Sequence, residues 1–285
     1  MSKWNLIVDV GSCENCQNCV IAVRDEFTGA DFPGYAAALP AKSEAPIRIL
    51  RRARGSAPMV DVTYLPVLCN HCDDPPCRKA APDAVTKRDD GLVIIDPVKA
   101  RGRRDIVDAC PYGAVVWNEE QQLPQTWIFD AHLLDSGWKQ PRLCQVCPTD
   151  VFEAVTLDDA AMTARAAKED LRVLRPELGT KPRLWYRNFD RWQTEFVGGS
   201  VAVENNGVID CAPGVEVALL RNAEPIATTR TDEFGDFRFD GLRADGETLE
   251  VEVRHAAGAT RRAAQMSDSR FVGEILLHAI REPQP

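Results

Sequence analysis

Ten cysteines in 285 residues are the side chains best able to do chemistry in this chain, and their spacing is regular. Cys13, Cys16 and Cys19 stand three apart in the run Cys13-Glu14-Asn15-Cys16-Gln17-Asn18-Cys19. A second group, Cys69, Cys72 and Cys77, follows, and two further cysteines each precede a proline, Cys110 before Pro111 and Cys147 before Pro148. Thiolates at such spacing wrap one side of an iron–sulfur cube, and a Cys-Pro elsewhere in the chain closes the set. Zinc is the plain alternative, as a zinc-stabilised binding module, but structural zinc sites favour two Cys-x2-Cys pairs over a run of three. A disulfide framework belongs to much shorter secreted chains.

The other chemistry-bearing residues form no constellation. The four histidines are scattered, and no Ser/His/Asp grouping, phosphate-binding glycine loop or carboxylate pair stands out, so no catalytic residue is expected on this chain. His71, inside the second cysteine group, is either a donor to a cluster sulfur or a surface imidazole. Cys144 and Cys211 fall outside the pattern and are expected to be free thiols.

Elements must bring these cysteines together. Residues 4–10 suggest a strand leading into the first group, and 25–46, with Gly29, Pro33, Gly34 and Pro40, a loop. Strands are expected at 47–50, 60–65 and 91–96, and helix over 100–109. Leu157, Ala161, Ala164, Ala167, Leu171 and Leu174 recur at helical spacing, with Thr156 or Asp158 as N-cap and Pro176 as stop. From Phe196 onwards the pattern is all-β: Val215, Val217 and Leu219 alternate with polar or small residues, as do Leu249, Val251 and Val253.

Composition sets the bounds. Hydrophobic residues make up 45% and charged residues 27% of the chain, an ordinary globular balance. A net charge of −9 excludes the basic face a nucleic acid requires. Nothing at the N-terminus resembles a secretory signal and no apolar run is long enough to span a membrane. A cytoplasmic location is expected, unless a partner subunit carries an export signal.

The order CxxCxxC, CxxCx4C, Cys110-Pro111-Tyr112-Gly113 and a late Cys-Pro resembles the four-motif ferredoxin subunits of molybdopterin oxidoreductases. Segments such as Phe32-Pro33-Gly34-Tyr35, Trp117-Asn118-Glu119-Glu120 and Pro176-Glu177-Leu178-Gly179-Thr180 resemble, within that group, the small (β) subunits of pyrogallol–phloroglucinol transhydroxylase-like enzymes of the DMSO reductase family. The stretch Thr231–Leu242 resembles the turn-and-strand signature of transthyretin-like, CnaB or carboxypeptidase regulatory-like sandwiches. The implied fold class is α+β: a ferredoxin-like 4Fe-4S domain with insertions (1–157), a helix and connecting arm (158–195), and an all-β transthyretin-like/immunoglobulin-like sandwich (196–285).

In such subunits the last cysteine of one motif ligates the cluster of its pseudo-symmetric partner. Carried over, the rule implies two complete sets: Cys13, Cys16, Cys19 and Cys147 for one 4Fe-4S cluster, and Cys69, Cys72, Cys77 and Cys110 for a second. It also implies two wholly vacated sets, Val23 with Trp127, Asp130 and Leu143, and Ala81 with Ala100, Arg103 and Ile106. Vacated sites must be filled, because a cavity costs stability in proportion to its volume. The expectation is therefore two 4Fe-4S clusters here, one fewer than the family's small subunit keeps.

The resemblance further implies a large catalytic partner subunit carrying a molybdenum (or tungsten) bis-pterin, in a heterodimer or higher oligomer. If the two retained sets lie at opposite ends of the ancestral series, electrons would not hop well between them, which suits hydroxyl transfer between phenols. A true electron-transfer subunit of an anaerobic phenol hydroxylase or dehydroxylase is the alternative.

Overall fold

The computed structural model describes residues 1–255 and 258–278, and the chain divides into two units, Met1–Arg51 with Thr63–Trp192 and Arg52–Val62 with Gln193–Pro285. The first unit is built on strand β1 (Lys3–Asp9), whose run Leu6-Ile7-Val8 is buried on both faces. Side chains alternate along a strand, so Leu6 and Val8 enter the main core while Ile7 enters a smaller one beneath a helix. From β1 the chain turns into α1 (Asn18–Phe27), then forms the β2 (Ile47–Ser56) and β3 (Met59–Leu68) hairpin, whose tip belongs to the second unit.

The second cysteine group leads to α2 (Pro76–Ala80), the paired strands β4 (Val85–Lys87) and β5 (Val93–Ile95), and α3 (Asp105–Asp108). Strands β6 (Val115–Asn118) and β7 (Leu123–Thr126) make another short hairpin. Helices α4 (Ala131–Asp135) and α5 (Arg142–Val146) precede β8 (Phe152–Leu157), α6 (Asp159–Lys168) and β9 (Leu184–Arg187). β1 is the middle strand of three, antiparallel to β8 and parallel to β9.

Three expectations are corrected here. The segment 158–195 is not a separate arm: β9 pairs with β1, and the first unit runs to Trp192. The expected helix at 100–109 is helical only over Asp105–Asp108, because Gly102, at φ +78°, turns the backbone just before it. α6 begins where Asp158 accepts a bond from the Ala161 amide (2.8 Å) but ends at Lys168, and it buries Met162 and Ala166, while Ala161, Ala164 and Ala167 stay exposed. Alanine at i, i+3 and i+6 is compatible with either face of a helix, whereas Met162 carries the larger apolar surface and takes the inner one.

The second unit holds two four-stranded sheets. One is centred on β10 (Glu195–Asn205), which pairs antiparallel with β11 (Val208–Cys211) and β14 (Asp236–Leu242) and parallel with β17 (Arg270–His278). The other runs β13-β12-β15-β16, formed by β12 (Glu216–Arg221), β13 (Glu224–Arg230), β15 (Thr248–His255) and β16 (Gly258–Gln265). Val197, Val201, Phe237 and Phe239 of the first sheet share one core with Val217, Leu219, Leu249, Val251 and Val253 of the second. The turn before β14 requires glycine, since Gly235 adopts φ +80° and a Cβ there would lie 2.3 Å from the Val201 carbonyl oxygen.

At the hairpin tip Arg54 is fully buried and paired with Asp61, with its Nη1 donating to the Thr194 carbonyl at 2.9 Å and its guanidinium 5.5 Å from the centre of the Phe196 ring. Removing one partner of a buried pair strands the other charge away from water. Arg54→Ala is expected to cost the second unit about 3 kcal/mol, measurable as a lower urea midpoint; an unchanged midpoint would show that the pair contributes nothing net.

Candidate metal centre

The antiparallel pairing of β1 with β8 brings the ends of the chain's first cysteine set together. Val8 lies opposite Phe152, and the Asp9 amide donates to the Val151 carbonyl at 2.8 Å. The loop leaving β1 and the turn entering β8 are therefore neighbours, and α1 packs on α5. Asn15 and Gln17 adopt left-handed backbone conformations, at φ +56° and +65°, which curl the loop. As a result Cys13, Cys16, Cys19 and Cys147 line one cavity, with Ile49, Val151 and Phe152 among its other walls. The Val151 amide lies 3.4 Å from Cys147 Sγ, as a donor to it.

The second set closes in the same manner over a shorter span. α2 carries Cys77 and packs against α3, whose end leads into Cys110. Cys69, Cys72, Cys77 and Cys110 line a cavity together with Val93, Ile95, Tyr112 and Val115. Burial pushes the thiols of both sets up: Cys19 and Cys77 to about 12, and Cys13, Cys69 and Cys72 in the same direction. Backbone hydrogen bonds at Asn15, Val20, His71 and Arg78 oppose that shift at Cys13, Cys19, Cys69 and Cys77. Such groups favour a sulfur bearing negative charge.

The donor sets suit a cluster better than a single ion. Among the described residues no three His, Cys, Asp or Glu side chains are placed to hold one metal ion, as four zinc ligands about 2.3 Å from a common centre would be. The thiols of each set instead line one pocket, with apolar walls between them.

The positions expected to be vacated are packed. Val23, Trp127 and Leu143 are completely buried in the main core, which also takes in Cys13, Cys19 and Cys147 at its margin. Ala81, Ala100 and Ile106 are buried together in another core that Cys77 and Cys110 flank. Arg103 lies at the edge, donating to the Ala80 carbonyl at 2.9 Å and to Asp105 at 2.8 Å. Asp130 is buried, accepts from the Arg142 amide at 2.8 Å, and has its carboxyl pushed up by burial.

His71 departs from one of the two readings expected of it. Its ring is 3% exposed, so it is no surface imidazole. Nδ1 accepts from the Val93 amide at 3.0 Å, the ring packs edge-on against Trp127 and Phe129, and Nε2 is buried without a hydrogen-bond partner among the described residues. Burial, with Lys87 nearby, lowers its pKa to about 3, so the imidazole is neutral. Cys144, packed at the edge of the main core, is pushed to about 12 by burial, and Cys211 is exposed on β11.

The 4Fe-4S dicluster domain family matches residues 60–157. The pyrogallol hydroxytransferase small subunit of Pelobacter acidigallici is 37% identical over 256 residues, which cover 89% of this chain and 92% of that one. The chain belongs to this small-subunit family. A tetrathionate reductase subunit of Salmonella typhimurium is 28% identical over 66% of this chain and 73% of its own length. The beta chain of dimethylsulfide dehydrogenase from Rhodovulum sulfidophilum is 37% identical over 47% of this chain and 42% of its own. The chain is accordingly an iron–sulfur small subunit of a molybdopterin oxidoreductase. No helix among the described residues is long and apolar enough to cross a membrane.

One part of the small subunit's site has no signal in the cysteine pattern. The loop after Cys72 is tied to the segment before β9: the Asp73 amide donates to the Lys181 carbonyl (2.9 Å) and the Asp74 amide to the Thr180 carbonyl (3.1 Å). Arg183 grips Asp73 and Asp159 from below, and Lys3 and Lys87 join the network. Burial pushes Asp73 up, but Arg183 and Lys87 more than offset it; the hydrogen bonds from Arg183 and Lys3 hold Asp159 at about 2. Both carboxyls are thus depressed, so the network's contribution is complete above their unfolded pKa of about 4 and is lost as pH falls through the folded values. The stability gap between wild type and Asp159→Asn in urea titrations is expected to close between about pH 4 and 2; a gap that persists at the low end would contradict this assignment.

Proposed function

We propose that this chain is the non-catalytic iron–sulfur subunit of a heterodimeric molybdopterin enzyme acting on polyhydroxylated benzenes. It holds two 4Fe-4S clusters, one on Cys13, Cys16, Cys19 and Cys147 and one on Cys69, Cys72, Cys77 and Cys110. The observation that carries this reading is that each complete thiol set lines a single cavity while seven of the eight vacated positions are buried in packed protein. The molybdenum or tungsten bis-pterin and the phenolic substrate belong to the large subunit. Phenol specificity rests on the likeness to the pyrogallol hydroxytransferase small subunit.

When bound, each cluster supplies a one-electron couple. This chain's own residues hold it, surround it with apolar walls and direct backbone donors at the thiolates, all of which influence its potential. Ten free cysteines suit the reducing cytoplasm. The two packed sheets of the second unit fit a transthyretin-like sandwich, to which we assign a structural or docking role.

Transfer of electrons out of the complex is the second reading, favoured by the likeness to subunits named for tetrathionate reductase and dimethylsulfide dehydrogenase. The packing of Trp127 and Phe129 against His71 on the second ligand loop weighs against it. On this reading Trp127 and Phe129 fill with apolar bulk a position that the family template gives to a further cluster.

Co-purification with the product of the neighbouring large-subunit gene, followed by metal analysis, tests both readings. About eight irons per small subunit are expected, falling by about four in Cys110→Ser, together with activity on di- and trihydroxybenzenes. A colourless, zinc-loaded protein would sink the proposal. Activity that requires an external electron acceptor would favour the second reading over hydroxyl transfer.

A further inference from the structure

A third cavity, of about 370 Å³, opens between α6 and the segment that leads into β9, and no cysteine lines it. Its size falls within the range of small-molecule sites, about 300–1,000 Å³. Met162, Val173, Pro182 and Trp185 supply apolar walls. Asn5 and Arg183, only 1% and 4% exposed, are the buried polar groups among its lining residues.

The balance of charge around this cavity is positive. Asp73 and Asp159 line it, but cations already hold both. Arg183 Nε and Lys87 Nζ reach Asp73 at 2.7 and 2.9 Å, and Lys3 Nζ and Arg183 Nη2 reach Asp159 at 2.9 and 2.6 Å. Three cations against two carboxylates leave one positive charge in surplus. Lys181, exposed at the rim and without an ion pair among the described residues, adds a second. In a chain of net charge −9, such a place attracts an anion.

The hydrogen bonds at the buried end point the same way. Asn5 Oδ1 is the shared acceptor of two long bonds, from Arg183 Nη1 and from Trp185 Nε1, each 3.4 Å. Ordinary N–H···O bonds are about 2.7–3.2 Å. Arg183 Nη1 carries a second proton, for which no acceptor stands among the described residues. Donors are therefore in excess while the carboxylates are engaged, so a ligand oxygen would improve the hydrogen bonding and a ligand donor would not. A small hydrated anion would leave the apolar walls wet, whereas a ring covers them and can pack on the indole and the thioether.

We infer that this cavity binds a small aromatic carboxylate, with the carboxylate on Lys181 and Arg183 and the ring against Trp185 and Met162. Arg183 also holds Asp73, the residue directly after Cys72, so the bound molecule shares an arginine with the network that fastens the second ligand loop.

Calorimetric titration of the complex of this chain with its large subunit tests the site, with benzoate as the probe. Benzoate is expected to bind saturably, with a Kd below about 10 mM. Benzamide, which lacks the charge, and acetate, which lacks the ring, should each bind at least about tenfold more weakly. Lys181→Gln should weaken benzoate about tenfold. Thr163→Trp, which fills the cavity from an exposed position on α6, should abolish binding. Both substitutions lie at exposed side chains away from the cysteines, so unchanged iron content checks that each variant is folded. No saturable binding up to about 10 mM, or binding that both variants leave unchanged, would overturn the site. Equal affinity for benzamide or acetate would overturn the class of ligand.

Discussion

Each thiol set in this small subunit closes only when segments far apart in the chain are brought side by side, and the pairing of β1 with β8 is the first condition for that. Its register places the start of β8 beside the end of β1, so Cys147 meets cysteines more than 120 residues earlier in the chain. β1 can serve as this hinge point because its central residues are apolar on both faces, one seating the main core and the other α6. A one-residue slip in the pairing would exchange those faces and move Cys147 away from its set.

The vacated positions impose a complementary constraint. On the reading proposed above, a ferredoxin fold that no longer holds a cluster there must replace a rigid, dense inorganic body with side chains. At the first vacated site the replacement is large and aromatic: Trp127 packs on Phe129 with ring centres 4.8 Å apart, and His71 closes the group. At the second it is small, with two alanines and an isoleucine, and the surrounding strands β4 and β5 supply the remaining bulk through Val85, Val93 and Ile95. The two solutions differ because the first lies in the main core, beneath the central sheet, whereas the second is a separate small core near the surface, with Arg103 at its rim.

The second ligand loop also depends on charge. Asp73 follows Cys72 directly, and its pairing with Arg183 and Lys87, together with the backbone bonds to the segment before β9, holds this loop to residues about 110 positions later. The side chain of Arg183 is only 5% exposed, so an unpaired guanidinium there would be costly; Asp73 and Asp159 together make its burial tolerable.

The cysteine spacing by itself picked out the two groups of three thiols and the two Cys-Pro pairs, because ligands within one motif are only a few residues apart; that each group lines one pocket with a distant Cys-Pro is a property of the tertiary structure. The alternation of valine and leucine with charged residues likewise determined the strands of the second unit, since period two is a local property. Tertiary structure alone decided the rest. His71, expected as either a donor to sulfur or a surface imidazole, is buried, with the Val93 amide on Nδ1 and the Trp127 and Phe129 rings against its own. The buried face of α6 went to Met162 and Ala166, since alanine-rich helices carry little apolar contrast of their own. Thr180 and Arg183 bear on the second thiol set only across a long separation, and no local pattern encodes a hydrogen bond or ion pair formed when β9 takes its place beside β1.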